Sequence, residues 1–450
     1  CNNLLLGIVQ NDTSIRNKYY PEDDITVAIS GFVYGSSRMN CGSDLDIAID
    51  AYKTWGEDMA DNTYGPFVLF IYNHKNDELK IINDVYGIQP LFYTIKSDGF
   101  FFSTEGESIV RADLIPPKLN HDSLAELFLL GYILGENTLL CGLKRLIGGS
   151  IMTIGLGGLH LRSKELNFRH GIAGTKVKYW CNNFRNAVDS SVKRISKYIQ
   201  SNKNKVVLNL SGGIDSRILL CSLMNSGIEF VTQTEVLYGE ENNVDADYTK
   251  ILCQHLGFKN KIVSDLLNWN TTYRGMLSSS KLTDEQKMTG HGGEITRGKW
   301  RKHLRYFTNE ETDEYLKLYF KSEFIAKLTK CPNDTMRNEL SKINIDCPDS
   351  RLEILYLLNT SSFFRKSYPS VHRFFSFITR DNHIPFFDKD IAEIIIDIPY
   401  SQRQNNKLVL KYFERFYPEY MEAPCTAVDF MDQEAARKSD KHFTINHKQY

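Results

Sequence analysis

The chain has 450 residues, 42% of them hydrophobic and 24% charged, with a net charge of −1. That length exceeds one ordinary core and points to two domains or three. Near-neutral charge argues against a nucleic-acid surface, and no apolar run approaches the length of a membrane span. The nine cysteines are scattered, with no C-x-x-C pair and no zinc spacing. They fit reduced thiols in a cytoplasmic protein better than a disulfide frame, and nothing reads as a signal peptide.

Residue 1 is Cys rather than Met, so either an initiator Met has been removed or the numbered chain is a fragment. A free N-terminal Cys can be a nucleophile with its own α-amine as base. Residues 4–9 and 25–34 read as strands. Ser43 and Asp44 cap a helix with Leu45, Ile47, Ala48, Ala51, Tyr52 and Trp55 at helical spacing. Gly65-Pro66 opens a strand over 67–72, a hairpin turn follows at 73–77, and 79–82, 91–93 and 100–103 read as further strands. A capped helix follows over 122–132, then a closing hairpin over 159–166. Hairpin spacing with few helices indicates an antiparallel α+β domain over residues 1–170.

From 171 onward the pattern changes. Residues 176–200 form one amphipathic helix, with Trp180, Phe184, Val188, Val192, Ile195 and Ile199 on a stripe. Residues 206–210 are a β-branched apolar strand. It breaks into Ser211-Gly212-Gly213-Ile214-Asp215-Ser216 and resumes as a helix from Arg217. A strand, a small-residue turn and a helix N-terminus make an anion site, because the turn lets a phosphate approach the free N–H groups and the positive dipole end. Asp215 repels phosphates there unless a Mg²⁺ lies between. A strand over 230–234, a helix over 243–256 closed by Gly257 and a strand over 261–263 continue an alternating pattern, which implies a parallel sheet with ligands at the carboxyl ends of its strands. Asp245 is either a first-turn charge or a site residue. Gly290-His291-Gly292-Gly293-Glu294 is a second glycine loop, followed by Ile295-Thr296-Arg297. Residues 350–377 are helical and aromatic-rich, and the tail from Asp432 is polar and loosely ordered.

Ser-Gly-Gly-Ile-Asp-Ser resembles the pyrophosphate loop of the ATP pyrophosphatases, which cleave ATP to AMP and pyrophosphate while adenylating a substrate. Residues 65–105, with Asn83-Asp84-Val85-Tyr86-Gly87-Ile88-Gln89-Pro90-Leu91-Phe92-Tyr93, resemble the glutaminase domain of class B asparagine synthetases. The resemblance implies an N-terminal-nucleophile-hydrolase-like domain over 1–170, shortened because only 29 residues precede Ser30. A second domain over 171–450 would be an adenine nucleotide alpha hydrolase of the PP-loop type with a helical C-terminal part. It further implies Cys1 as nucleophile, Asp44 on the α-amine of glutamine, and Ser30 and Gly31 at the oxyanion positions. ATP would be bound by Leu210, Ser211, Gly212, Gly213, Asp215, Ser216, Thr234, Gly292 and Gly293, and Mg²⁺ by Asp215 and Glu294. Glu294 and Lys407 are the catalytic residues it implies beside Cys1. Arg403 and Lys407 would face phosphates.

Three departures stand out. The family's oxyanion Asn is Ser30, neither Arg16 nor Arg38 falls in register with its glutamine-binding Arg, and no Lys follows Pro418 where the family carries one. Lys407 or Lys438 would have to replace that Lys. Arg373 and residues 380–388 resemble the family's Arg-x-Pro-Phe-Leu-Asp corner, a packing motif. The expectation is therefore an amide-forming synthetase that adenylates a carboxylic acid (aspartate, another metabolite or a peptide) and uses glutamine, with a homodimer left open. His291-Gly292-Gly293 also resembles lasso-peptide cyclases, so a cyclase using an internal amine stays open, as does an ATP-binding pseudoenzyme.

Overall fold

The computed structural model describes residues 17–36, 42–130, 132–163, 166–167, 177–237, 243–265, 286–297, 335, 338–339, 341–344, 353–354, 357–358 and 382–426. Cys1, Arg16, Arg38, Arg373, Arg380, Lys438, the strand expected over 4–9, most of the helical stretch 350–377 and the tail lie outside the described residues. The described residues fall into two compact units that divide between 172 and 173. Residues 387–397 belong to the first, and 381–386 and 398–426 to the second. Among the described residues no helix is long and apolar enough to cross a membrane.

The first unit is built on β1 (Asn17–Tyr20), β2 (Ile25–Gly31), β3 (Gly35–Ser36), β4 (Thr63–Tyr64), β5 (Phe67–Asn73), β6 (Glu78–Asn83), β7 (Phe92–Lys96), β8 (Gly99–Ser103), β9 (Lys144–Arg145), β10 (Ser150–Gly155), β11 (Gly158–Ser163) and β12 (Leu166–Asn167). Six of these form an antiparallel sheet in the order β1-β2-β5-β6-β10-β11. Alternation sends its side chains to two cores. Val27, Ile29, Leu69, Ile71 and Ile82 meet Leu45, Ala48 and Ile49 of α1 (Asp44–Trp55) on one face. Ala28, Val68, Phe70, Ile81 and Met152 meet Leu91, Tyr93 and Leu146 on the other, at the small sheet β8-β7-β9. The closing hairpin is β10–β11, which starts at Ser150 and turns at Leu156-Gly157. This is earlier than expected, because the turn residues precede the apolar stretch read as its start.

α2 (Gly106–Arg111) and α3 (His121–Leu130) follow β8. Glu126 of α3 is 1% exposed and accepts a hydrogen bond from Leu134 N at 2.9 Å. Burial pushes its carboxyl up to about 7, against the Leu134 N–H and the Thr335 hydroxyl, which favour the anion; Asp122 and Glu339 add to the rise. A carboxyl whose pKa rises on folding stabilises the fold most at low pH, and that stability is lost as pH climbs through the folded value. Glu126→Gln keeps an acceptor for Leu134 N and removes the ionisation. Thermal unfolding between about pH 5 and 8 is expected to show the variant gaining on the parent as pH rises, by up to about 3 kcal/mol at the alkaline end. The nearby Arg145 guanidinium, itself buried, offsets part of that figure. A parallel pair of profiles counts against an ionising Glu126.

The second unit begins with α4 (Val177–Ser201), whose stripe of Trp180, Phe184, Val188, Val192, Ile195 and Ile199 is buried as its spacing predicts. Then come β13 (Val206–Asn209), α5 (Ile214–Ser226), β14 (Phe230–Leu237), α6 (Val244–Leu256), β15 (Asn260–Asp265) and β16 (Gln286–Thr289). β17 (Ile343–Asn344) belongs to the first unit and pairs with β12. β18 (Asn382–His383), where a packing corner was expected, is an edge strand of the second unit's sheet. That sheet is all parallel, in the order β15-β14-β13-β16-β18. Val206, Val207 and Leu208 of central β13 are all buried, as suits a strand covered on both faces. The chain steps outward from β13 to β15 and then returns to β16 on the other side. The reversal makes the end of β13 a topological switch point, where open α/β sheets hold ligands. α7 (Lys389–Asp397) packs in the first unit; α8 (Tyr400–Arg403) and α9 (Lys407–Phe416) pack in the second, with Phe184 edge-on to Tyr412 at 5.5 Å.

Candidate functional site

The backbone N–H groups of the turn after β13 are tied to acceptors of the protein itself. Leu210 N donates to Gln233 O at 2.7 Å and extends the ladder with β14 by one step. Ser211 N donates to Ser216 Oγ at 3.1 Å and Gly213 N to Ser211 Oγ at 3.2 Å. Gly212 N donates to Asp245 Oδ1 at 2.8 Å, while Gly212 O accepts from Thr426 N at 2.9 Å. Asn243 caps α6 by accepting from Ala246 N, which sets Asp245 in the first turn and turns its carboxylate to the Ser-Gly-Gly turn. Asp245 is thus a first-turn charge whose carboxylate also holds the Ser-Gly-Gly turn. Thr234, expected to bind ATP, is 1% exposed. Its hydroxyl donates to Leu210 O at 2.8 Å and accepts from Asn260 Nδ2 at 2.8 Å. It holds the strand end from beneath.

The second glycine loop nests against the first. It leaves β16 at Gly290 and closes as a 3-10 turn over Gly293–Arg297, with Thr296 Oγ1 donating to Gly293 O at 2.7 Å. A Cβ on Gly293 would lie 2.4 Å from Asp215 Cγ. The contact brings Arg297 onto Asp215, with Nη2 2.5 Å from Oδ2. The Arg297 side chain is only 7% exposed. Glu294 lies in the same turn, and its Oε2 is buried with no hydrogen-bond partner among the described residues. Arg403 is 1% exposed and donates through Nη1 to Ile295 O at 3.1 Å and through Nε to Ile398 O at 3.0 Å. It braces the turn from behind. Lys407 is exposed and donates to Ser401 O at 3.1 Å. These two cations, expected on phosphates, donate to backbone carbonyls in this structure.

The acidic pair tests the Mg²⁺ expectation. Mg²⁺ takes one or two carboxylates together with substrate phosphates. Glu294 suits it, since a buried carboxylate oxygen has nothing to accept from. Asp215 gives only its Oδ2 to Arg297, and its Oδ1 is a second buried carboxylate oxygen at the loop, so the pair fits the expectation. Among the described residues no group of three or more His, Cys, Asp and Glu could hold a metal.

In the first unit, β2 carries Ser30 and Gly31 at its end. Gly31 has φ +98°, and a Cβ there would lie 2.2 Å from Pro66 O, so only glycine fits. Gln89 is 2% exposed and donates through Nε2 to Ser30 Oγ at 2.9 Å. Asp44 opens α1 and accepts from Val33 N at 3.3 Å, which brings it beside the chain leaving Gly31. Asp84 is 3% exposed and accepts four backbone N–H bonds, from Phe67, Tyr86, Ile88 and Gln89. Burial pushes its carboxyl up to about 6, while the four N–H groups pull it down, so it is ionised at neutral pH. Asp84 is thus the knot that sets Gln89 under Ser30. Sequence reading assigned no role to Gln89, Arg297, Arg217 or Thr426. Arg297 stood three residues beyond Glu294, but nothing local tied it to Asp215.

Residues 32–164 match the family model described as a glutamine amidotransferase domain. Asparagine synthetase [glutamine-hydrolyzing] 3 of Bacillus subtilis (strain 168) is 22% identical over 44% of this chain and 33% of its own. Asparagine synthetase [glutamine-hydrolyzing] 1 of the same strain is 24% identical over 58% and 42%. The chain thus spans well under half the length of the curated relatives it matches. The solved glutamine phosphoribosylpyrophosphate amidotransferase from B. subtilis, complexed with ADP and GMP, covers 59% of this chain and 61% of its own at 10% identity. Its TM-score of 0.22 is too low to bear on the fold.

Proposed function

We propose that the chain, which resembles class B asparagine synthetases and matches a glutamine amidotransferase domain over residues 32–164, forms an amide bond by adenylating a carboxylic acid with ATP. In this reading pyrophosphate leaves, and ammonia drawn from glutamine then attacks the acyl-adenylate. The observation that carries it is the Ser211–Ser216 turn at the switch point of an all-parallel sheet, with Gly290–Arg297 nested against it. The N-terminus of α5, which follows that turn, suits the leaving pyrophosphate, whose charge develops as the α–β bond breaks. Asp245 and Thr426 hold Gly212 through its N–H and its carbonyl, which fixes the turn ahead of α5. Mg²⁺ would be held by the carboxylates of Glu294 and Asp215 and would supply positive charge to the phosphates.

For the glutaminase half, Cys1 is the nucleophile, Asp44 takes the α-amine and the Ser30 hydroxyl serves the oxyanion. Gln89 donates to the Ser30 oxygen and leaves its O–H proton free to point elsewhere. An oxyanion donor is typically worth ~10²–10³ in rate. The exchange of radiolabelled pyrophosphate into ATP tests the synthetase half. Exchange that depends on an added carboxylate, aspartate first, is expected, and its absence across aspartate and candidate peptides overturns adenylation. In the same preparation Cys1→Ala is expected to stop glutamate release and leave exchange intact; unchanged release removes Cys1 from the reaction.

A further inference from the structure

We propose that Asn209 and Thr289, side by side at the carboxyl ends of β13 and β16, form a subsite that accepts a hydrogen bond from an N–H or O–H group of a substrate bound at the switch point. The inference rests on the reading of Ser211–Ser216 as a nucleotide turn. Asn209 and Thr289 are register partners in parallel strands, so their side chains leave the sheet on one face. Gln233 pairs with Asn209 from β14 and shares that face, as by alternation do Glu235 and Lys287. Buried parallel strands are normally apolar on both faces, and polar groups placed there need partners. Gln233, Glu235 and Lys287 supply one another: Glu235 Oε1 accepts from Lys287 Nζ at 2.8 Å and from Gln233 Nε2 at 3.1 Å. Asn209 Oδ1 and Thr289 Oγ1 stand outside that network. Both atoms are buried, and neither has a hydrogen-bond partner among the described residues. Thr289 as a whole is only 3% exposed. Such oxygens cost stability, a cost that recurs where a ligand completes the bond. Their place is at the two glycine loops, since Thr289 directly precedes Gly290 and only Leu210 separates Asn209 from Ser211. With Asp215 and Glu294 read as the Mg²⁺ carboxylates, these two oxygens are left for another group. Asn209 Oδ1 can only accept, and Lys287 and Glu235 neutralise each other, so the subsite suits a donor and not a further anion. The triphosphate offers no such donor. The ribose hydroxyls and base amino group of ATP do, and so does the nitrogen of an amino-acid or peptide substrate.

Two variants of the full chain test this. Thr289→Val keeps the side-chain shape and removes the hydroxyl, and Asn209→Leu removes the amide. Hydrogen-exchange protection of the β13 and β16 amides is not expected to fall in Thr289→Val, because the oxygen removed is one the fold leaves without a partner. With the donor on the nucleoside, equilibrium binding of ATP in Mg²⁺ is expected to weaken at least about tenfold in both variants. With the donor on the acid, ATP binding is kept, and the KM for the acid in pyrophosphate exchange, aspartate first, is expected to rise at least about tenfold. Thr289→Ser is expected to match the parent in either readout. Lost protection in Thr289→Val shows the hydroxyl at work inside the fold and overturns the proposal. Unchanged ATP binding overturns it as well, both where KM is unchanged and where no acid drives exchange in the parent. A parent that binds no ATP in Mg²⁺ overturns the nucleotide reading itself.

Discussion

Arg217→Met is expected to destabilise the second unit by about 3–5 kcal/mol and to strip hydrogen-exchange protection from residues 417–426. Arg217 follows the Ser-Gly-Gly-Ile-Asp-Ser run directly and has no exposed surface. Its Nη1 donates to Tyr420 O at 2.8 Å and Ala423 O at 2.9 Å, and its Nη2 to Pro424 O at 2.5 Å. Burial depresses its pKa from the usual guanidinium range, and a guanidinium stays charged at neutral pH even so. One fork thus satisfies three carbonyls of a segment with little regular structure, and Met leaves those acceptors without it. Hydrogen bonds to a charged donor are each worth about 1.5–3 kcal/mol, so even partial loss is large. The effect reaches the site, because the same segment ends at Thr426, whose N–H holds Gly212 O. Arg217→Lys is expected to rescue little, since one ammonium cannot span three carbonyls. Two units make a single melting temperature ambiguous, so exchange at the Thr426 amide is the sharper measurement. Protection equal to the parent's in Arg217→Met would show that the segment is held by other contacts.

What could be read from sequence is what is local. Val206 to Arg217 announces itself, because a β-branched run, a small-residue turn and an apolar helix are adjacent in the chain. α6 is equally plain, with Asn243 at its start and Gly257, at φ +72°, at its end. The antiparallel sheet of the first unit follows from alternation and from the hairpin at 74–77. The failures share one cause, sequence distance or brevity. Arg297 and Asp215 are 82 residues apart, and Arg217 and Pro424 are 207 apart. No periodicity links such pairs; only the parallel sheet does, by setting β16 next to β13. β18 is two residues long and has no pattern to detect. Lys407 and Arg403 meet the same limit. A cation at the right spacing looks the same in sequence whether it meets a phosphate or a carbonyl, and here the carbonyls of Ile295, Ile398 and Ser401 take them.

Gly293→Ala is the change expected to harm function most for its size. The added methyl would stand 2.4 Å from Asp215 Cγ and 2.5 Å from its Cβ, well inside contact distance. Two outcomes relieve it, and both break the site. Either Asp215 swings off Arg297, or the 3-10 turn lifts and takes Glu294 and Arg297 with it. Overpacking of this kind costs about 1–3 kcal/mol of stability. Binding of ATP or pyrophosphate is expected to fall by more than that suggests, at least about tenfold, because the two glycine loops lose register together. Gly257→Ala separates the two effects. Its Cβ meets nothing within 4 Å, but its φ of +72° strains an alanine. That strain costs about 1–2 kcal/mol at the far end of α6, away from the turn. The two variants should therefore melt at similar temperatures, yet only Gly293→Ala should lose the ligand. If Gly257→Ala loses it equally, the site responds to the stability of the unit as a whole and not to the fit of two loops. If neither loses it, the close approach of Gly293 to Asp215 is not what holds Arg297 in place.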